Sequence, residues 1–407
     1  MPLLRHTRAE SAGIAGSAAG GRNDAWIFGH RSRTLSESAT RHYQTSVRRT
    51  QWNDRRNNYE AEDKYMELTG TKTTSDLGLA TVHKRHCLAG ILLLVTQAGL
   101  PAQSPPDLAQ QIAEVMAQGP SGKAHQRYVH AKGIVCKGTF EASPGAAAIS
   151  RAAHLGGGSV PVVVRFSDGA PDISVADTSP DAAPRGMAIR FGTGRGTDIM
   201  TISHNGFVVG TGEDFLALQK AMAATDSAKP HPWPVEAFLG SHPRALKFVQ
   251  ELNHVPASFV TEAFYSNNAF VFVNSKDERV TGRYQIIPAS GVQYLDEVVA
   301  KSMPPNFLSE ELKARLAKAP AKFQLLLQLA QPGDQTNDGS VVWPDDHKKI
   351  ELGIITITSV VPDSAAAEGE LAFDPTRLID GIELSDDPLP VLRSHVYAYS
   401  VAGRHIK

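Results

Sequence analysis

The sequence predicts an α+β fold in which a mainly antiparallel β-sheet closes into a barrel surrounded by helices. Segments rich in β-branched and aromatic residues follow one another without the regular strand–helix alternation of a parallel sheet. So many consecutive strands without an obvious edge strand favour closure into a barrel. We find no internal repeat and no linker that would divide residues 105–407.

The first half of this region is predicted to supply one helix and most of the barrel strands. The helix begins at Ser104-Pro-Pro-Asp107, because Pro and Asp are typical of a first turn, and it ends at Gly119-Pro120. Turn residues such as Asp168-Gly169 separate the strands that follow. These strands, rich in Val, Ile and Phe, are predicted at residues 133–140, 161–167, 186–191, 198–202 and 207–209.

The second half mixes helices and strands. Helices are predicted at residues 213–224, 233–252 with a break at Ser241-His-Pro243, and 309–329 with an interruption at Pro320. Strands are predicted at residues 268–273, 279–287 and 351–361, and a loop at 331–343. Near the end of the chain, Arg393 and Tyr397 would lie on one face of a helix, about 5.4 Å apart along its axis.

Composition restricts the functional classes. The net charge of −1 over 407 residues argues against a nucleic-acid partner or a membrane-surface role. The two cysteines, Cys87 and Cys136, exclude a disulfide framework and a cysteine-rich metal site, and Cys136 is expected to be a buried structural thiol. The common phosphate-loop, dinucleotide and zinc-protease motifs are absent.

The segment before the folded region is typical of export. A basic patch at Lys84-Arg85-His86 precedes the apolar run 87–100, which is too short to span a bilayer and leads to Ala102-Gln-Ser104. We interpret residues 82–104 as a signal peptide, with a buried helix or a short anchor as alternatives. Because of this signal peptide, the mature protein is expected in the periplasm without stable membrane insertion. Residues 1–81 lack periodicity and are expected to be a disordered or misannotated extension.

Two groups of residues are candidates for chemistry. A guanidinium beside a phenol favours the phenolate, so Arg393 is expected to stabilise Tyr397 as a phenolate, and Tyr397 is a candidate axial ligand for haem iron. An ordinary surface pair of these two residues is the alternative. Upstream, Ser167 is expected to face the barrel interior and to bond one imidazole nitrogen of His130, which leaves the other nitrogen as an acid or base. A histidine with a purely structural role is the alternative there.

Together with these residues, an ordered set of motifs across residues 120–405 resembles the core of the haem catalases. The matching segments are Arg127-x-x-His130-Ala-Lys-Gly133, Val164-Arg-Phe-Ser167, Ala176-Asp-Thr178, Pro184-Arg-Gly186, Val342-Trp-Pro344, Leu352-Gly353, Ala372-Phe-Asp-Pro375, Gly381-Ile-Glu383 and Arg393-x-x-x-Tyr397. Ten residues follow Tyr397, so the chain is most similar to the small single-domain branch, the catalase-related peroxidases. The helical C-terminal domain and the nicotinamide site of full-size catalases are then not expected.

The resemblance implies the catalase-like fold, a haem b (iron protoporphyrin IX) cofactor and a role for each matching residue. His130 would be the acid/base residue, oriented by Ser167, and Tyr397, held as phenolate by Arg393, would be the axial iron ligand. Tyr399 is the alternative ligand, but only Tyr397 keeps the family's spacing. The remaining residues expected around the haem, three propionate-binding arginines and three apolar residues, are Arg127, Arg165, Arg404, Val129, Phe207 and Phe215.

Two positions depart from the family pattern. Ile202 stands where an asparagine is expected, and Ala183 stands where a channel aspartate is expected. Both departures favour a peroxidase with weak or no catalase activity, which reduces hydrogen peroxide or organic hydroperoxides with a small organic electron donor. A fatty-acid hydroperoxide-rearranging enzyme and a non-catalytic haem-binding protein are the alternatives. Homo-oligomer formation is left open.

Overall fold

The computed structural model describes residues 107–404, with the exception of residues 193, 195 and 253. The predicted extension at 1–81 and the predicted signal peptide at 82–104 lie outside these residues. Those interpretations therefore stay predictions.

The strands form one antiparallel sheet that closes on itself. Eight strands follow one another in the order β7-β5-β4-β3-β2-β1-β9-β8, and β8 also pairs with β7, which completes the barrel; β6 and β10 extend the sheet beyond β7. The barrel prediction is confirmed. The strands are β1 (Gly133–Ala142), β2 (Ser159–Ser167), β3 (Gly186–Phe191), β4 (Asp198–Ile202), β5 (Phe264–Tyr265), β6 (Phe270–Val273), β7 (Arg279–Pro288), β8 (Ala321–Leu329), β9 (Lys349–Val360) and β10 (Ile382–Leu384).

Helices surround the barrel, and the first one begins where the sequence predicts. Asp107 accepts a hydrogen bond from the backbone of Gln110 at the start of the first helix. None of the helices described is both long enough and apolar enough to cross a bilayer. The helices are α1 (Leu108–Ala117), α2 (Pro120–Lys123), α3 (Gly212–Ala224), α4 (Pro234–Ser241), α5 (Pro243–Glu251), α6 (Glu297–Ser302), α7 (Phe307–Leu316), α8 (Ser364–Glu370) and α9 (Leu389–Arg404).

Two predicted elements are wrong. Residues 207–209 form no strand, and their valines are instead buried against α3, α4 and α5. The predicted helix at 309–329 ends at Leu316, and the residues after Pro320 form β8. Alternate residues of β8, such as Phe323 and Leu325, point into the barrel, so pairing with β7 and β9 overrides the helix propensity of this leucine-rich segment.

The inner and outer faces of the barrel strands carry different kinds of residue. On β2 and β3, Val164, Phe166 and Ile189 are fully buried in the barrel core, as is Cys136 of β1, whose pKa is raised to about 12 by burial. Ser167 has the opposite parity and therefore lies on the outer face. The expectation that Ser167 faces the barrel interior is wrong, because the bulky apolar residues of each strand fill that space.

The outer face carries two cross-strand rows that position the site. In one row Ser167 pairs with Gly186, and Gly186 pairs with Ile202. In the other, Arg165 pairs with Ala188 and Ala188 with Met200. Helix α9, which packs on α1 and α3 through a separate apolar cluster, covers this face of the barrel.

Candidate active site

A cavity lies between the outer face of β2, β3 and β4 and helix α9. The structure brings nine of the ten predicted site residues to its wall, and these are Arg127, Val129, His130, Arg165, Ser167, Phe207, Arg393, Tyr397 and Arg404. The tenth, Phe215, is not part of the lining and stacks behind Phe207, with the ring centroids 5.9 Å apart. Sequence reasoning therefore identified a set of residues that share one cavity.

His130 is held on this wall by its own backbone and by Ser167. Its ring nitrogen Nδ1 lies 3.2 Å from Ser167 Oγ. Its backbone N–H donates to the carbonyl of Gly169 at 3.1 Å, and its carbonyl accepts from Arg165 Nη2 at 2.7 Å. The φ angle of His130 is +54°, a conformation that non-glycine residues seldom adopt and that persists where surrounding contacts enforce it.

Gly186 makes room for the His130–Ser167 pair. A Cβ atom at this position would lie 2.8 Å from Ser167 Oγ and 2.9 Å from His130 Nδ1. Both distances are shorter than a nonbonded contact to carbon allows. Gly186 is thus more than part of a motif, because its position has a steric requirement.

The environment of His130 favours the neutral imidazole. Burial, followed by the nearby guanidinium of Arg165, lowers the pKa of His130 from its ordinary value of 6.5 to about 4. A neutral ring at neutral pH can accept a proton. His130 is thus suited to the role of a base.

A buried ion cluster anchors the loop that carries His130. Lys132 Nζ lies 3.1 Å from Asp168 Oδ2, forms a second ion pair with Asp177 and donates to the carbonyl of Val175 at 2.6 Å. The backbone N–H of Asp168 donates to the carbonyl of Lys132 at 3.0 Å. Burial and the neighbouring Asp177 carboxylate raise the pKa of Asp168. These contacts join the loop to the end of β2 and fix the position of the imidazole.

Tyr397 and Arg393 lie one turn apart on helix α9 and are hydrogen-bonded to each other. Arg393 Nε and Nη2 donate to Tyr397 Oη at 3.1 and 3.0 Å, which stabilises negative charge on that oxygen. Tyr397 lines the cavity, whereas Tyr399 packs in the apolar cluster with α1. Of the two tyrosines, Tyr397 is therefore the one that can offer its oxygen to a ligand in the cavity.

Two residues that the sequence analysis missed hold Arg393. Arg393 Nη1 donates to Asn268 Oδ1, and Asn268 Nδ2 donates to Asp387 Oδ2 at 2.7 Å. Asp387 Oδ1 also accepts from the backbone N–H of Leu389 at the start of α9, at 2.8 Å. Asn268 lies 125 residues before Arg393, so only the position of Asp387 at the start of the helix could have indicated part of this chain of contacts.

The three predicted carboxylate-binding arginines meet at Glu368 of α8. Arg165 Nε lies 2.7 and 2.8 Å from the two carboxylate oxygens, Arg127 Nε lies 3.4 Å from Oε2, and Arg404 Nη1 lies 3.4 Å from the Glu368 carbonyl oxygen. Burial, with the charges of Arg165 and Arg404, lowers the pKa of Arg127 to about 9. Two guanidiniums thus contact the Glu368 carboxylate and the third contacts its backbone carbonyl, so the cluster keeps an excess of positive charge.

The residues around the cavity fit an apolar ring system that carries carboxylates and a metal ion. Arg404 Nε is buried and has no hydrogen-bond partner in the part of the chain that is described, so a donor is available for a further anion. Much of the remaining wall is apolar, with Met116, Val129, Met200, Ile202, Phe373 and Val396 in the lining. The oxygen of Tyr397, which lines the cavity, is of a type that binds iron in proteins.

The two departures from the expected pattern differ in position. Ile202 lies on the cavity wall, in the same cross-strand row as Ser167, so its apolar side chain occupies the place where an amide was expected. Ala183 is not part of the cavity lining. The structure also places Asn267 in the lining, where its Oδ1 accepts from the backbone N–H of Gly206 at 3.1 Å, and no sequence signal pointed to it.

Comparison with known proteins gives consistent matches. A family model described as Catalase matches residues 108–405. The chain is 36% identical over 285 residues to a catalase-related peroxidase of Mycolicibacterium paratuberculosis, covering 68% of this chain and 88% of that protein. It is 31% identical over 284 residues to a catalase-related peroxidase of Synechococcus elongatus, covering 69% of this chain and 83% of that protein.

Solved structures match the fold. Catalase A from Saccharomyces cerevisiae superposes with a TM-score of 0.60 at 22% identity, covering 69% of this chain and 61% of that chain. A fungal catalase gives a TM-score of 0.60 at 21% identity, covering 67% of this chain and 57% of that chain. At this level of identity the superpositions establish the barrel and its helices as a shared architecture.

Proposed function

The chain belongs to the catalase family, and we propose that it is a haem peroxidase that reduces hydrogen peroxide with a small organic electron donor and evolves little or no oxygen. The observation that carries the proposal is the meeting of three groups at one apolar cavity. These are a neutral histidine bound to a serine, a tyrosine bound to an arginine, and a cluster of three arginines.

In this proposal the cofactor is haem b, and each group has one task in holding it. Tyr397 would hold the iron through Oη, and Arg393 would stabilise negative charge on that oxygen through its two hydrogen bonds. Arg127, Arg165 and Arg404 would hold the haem carboxylates, for which a guanidinium fork is well suited. When bound, haem supplies the redox centre that takes up the oxidising equivalents of peroxide.

His130 moves the proton. With Nδ1 held by Ser167, Nε2 would accept a proton from one oxygen of hydrogen peroxide and return it to the other oxygen as the O–O bond breaks. The second oxygen would then depart as water, and the first would be left with the haem. The low pKa of His130 keeps the ring neutral and ready to accept. Ser167 and the backbone contacts of His130 fix the direction in which the ring points.

The preference for an organic reductant over a second peroxide rests on Ile202. A side chain without polar atoms cannot hold peroxide by hydrogen bonds, so the step in which peroxide acts as the reductant is weakened. The names of the relatives from M. paratuberculosis and S. elongatus support the same assignment.

The test is to load the purified protein with haem, record its absorption spectrum, and compare peroxide-dependent oxidation of a dye with oxygen evolution. We expect dye oxidation to exceed oxygen evolution. The variant His130→Ala should keep its haem but lose reaction with peroxide, while the control His395→Ala, which alters an exposed histidine on α9, should react normally. Normal reaction of His130→Ala with peroxide would exclude His130 from the mechanism.

The same material separates the alternatives. Rearranged products from a lipid hydroperoxide would favour the fatty-acid hydroperoxide enzyme, and haem binding without dye oxidation would favour a non-catalytic haem-binding protein. We propose a periplasmic location on the basis of the segment at 82–104. N-terminal sequencing of the native protein tests it, and a peptide from residues 1–81 would contradict it.

A further inference from the structure

We propose that Glu368 sets the affinity of the chain for haem by competing with the haem carboxylates for the same guanidinium donors. The structure places Glu368 on the arginine cluster, and a haem carboxylate bound to the same donors would displace it. This inference rests on the proposed haem binding at Arg127, Arg165 and Arg404.

The contacts of Glu368 involve the donors that a ligand carboxylate needs. Arg165 Nε bonds both carboxylate oxygens, and its Nη2 is used by the carbonyl of His130. Arg127 Nε faces Glu368 Oε2, and Arg127 Nη2 donates to the carbonyls of Glu368 and Leu371 at 3.0 and 2.5 Å. Each of these Nε–H groups has one hydrogen, so a donor that is already engaged with Glu368 cannot donate fully to a ligand carboxylate as well.

The neighbouring strand leaves space for this carboxylate. A Cβ atom at Gly133 would lie 2.6 Å from Glu368 Oε1 and 2.4 Å from Arg165 Nη2. The glycine therefore allows the Arg165–Glu368 pair to form against β1. The side chain of Glu368 is 17% exposed and that of Arg165 is 5% exposed, so the pair is largely shielded from water and its hydrogen bonds are stronger than those of a surface pair.

Helix α8 can move away from the arginines without exposing much apolar surface. The helix has seven residues and none of them is buried, so its movement exposes little apolar surface. Apart from the arginine contacts, it is joined to β1 by the hydrogen bond from Val135 N to Ser364 Oγ, at 2.9 Å. The arginine contacts are thus a main attachment of α8, and a ligand that takes the guanidiniums releases it.

The experiment compares Glu368→Gln with the wild-type protein and with Glu370→Gln, which removes an exposed carboxylate from the same helix. Haem-free protein of each kind is mixed with iron protoporphyrin IX, and binding is followed by absorption in a stopped-flow instrument and by titration. We expect Glu368→Gln to bind haem about tenfold more tightly, equivalent to about 1.4 kcal/mol, and Glu370→Gln to match the wild type. Failure of the wild type to bind haem would count against the proposed function rather than against this inference.

Thermal unfolding provides the second measurement. Competition requires that Glu368→Gln lowers the melting temperature of the haem-free protein and leaves that of the haem-bound protein unchanged. An equal loss in both forms would show that Glu368 stays with the arginines as a counter-ion, and it would overturn the proposal, as would unchanged or weaker haem binding. The dimethyl ester of iron protoporphyrin IX, which has no carboxylates, should bind equally well to the variant and to the wild type.

Discussion

The imidazole of His130 lies directly against the backbone of Gly186. A Cβ atom at residue 186 would stand 2.9 Å from His130 Nδ1, and the same atom would stand 2.8 Å from Ser167 Oγ. The spacing arises from the barrel, because Gly186 is the register partner of Ser167 across β2 and β3. The acid/base pair therefore depends on the absence of a side chain on the adjacent strand.

The variant Gly186→Ala tests this dependence. The added methyl group must push His130 or Ser167 aside, and a displacement of about 1 Å at a reacting group can cost on the order of 100-fold in rate. We expect reaction with peroxide to slow by about that factor while the haem spectrum is kept. The control is Gly145→Ala, because a Cβ there meets nothing within 4 Å. Equal rates for Gly186→Ala and wild type would contradict the steric argument.

Tyr397 and Tyr399 offer a matched pair of variants for the iron ligand. Both tyrosines lie on α9, but only Tyr397 lines the cavity and accepts hydrogen bonds from Arg393. Tyr397→Phe is expected to abolish the phenolate-ligand signature in the absorption spectrum, and Tyr399→Phe is expected to retain it. Circular dichroism should show that both variants keep the fold. The opposite pattern of spectra would assign the ligand to Tyr399.

Asn268 is expected to contribute to stability as well as to the orientation of Arg393. Asn268→Ala removes the donor to the buried carboxylate of Asp387, which is 3% exposed, and also the acceptor for Arg393 Nη1. Leaving a buried polar group without its partner costs about 1–3 kcal/mol. We expect a decrease of that size in the free energy of unfolding, measured with urea on the haem-free protein. A change below about 0.5 kcal/mol, the usual range for surface sites, would show that the chain of contacts is not stabilising.

Local patterns account for the parts of the fold and site that the sequence predicted. Val164 and Phe166 define the parity of β2, and once that parity is known Arg165 and Ser167 must share the other face. Which face was inside could not be read from one strand, because the barrel interior is defined by all eight strands together. The segment after Pro320 shows the same limit, since its leucines suit a helix until the pairing with β7 and β9 is known.

The missed residues have partners far along the chain. Glu368 meets Arg127 and Arg165 across more than 200 residues, and Asn268 meets Arg393 across 125. No periodicity or spacing relates such residues, so only the folded chain brings them together. Tyr397 and Arg393 were accessible to sequence reasoning because one helical turn separates them.

The pH dependence of the reaction with peroxide follows from the pKa of His130. The base must be neutral, and burial together with Arg165 lowers its pKa to about 4. The second-order rate constant with peroxide should therefore stay constant from neutral pH down to about pH 5 and fall as the pH passes through 4. An unperturbed histidine would lose activity near pH 6.5. Stopped-flow rates in buffers of constant ionic strength decide between the two profiles, and a midpoint near 6.5 would contradict the burial argument.

Ile202 provides a test of what separates peroxidase from catalase activity in this chain. Its side chain lies on the cavity wall in the row of Ser167 and Gly186, so Ile202→Asn places an amide beside the acid/base pair. The amide can donate to a bound peroxide, and we expect oxygen evolution to rise by about tenfold, which corresponds to about 1.4 kcal/mol from one new hydrogen bond. The control Ile202→Leu changes shape without adding a polar group and should evolve no more oxygen than the wild type. If Ile202→Asn and Ile202→Leu evolve oxygen equally, another part of the cavity limits the reaction of the second peroxide.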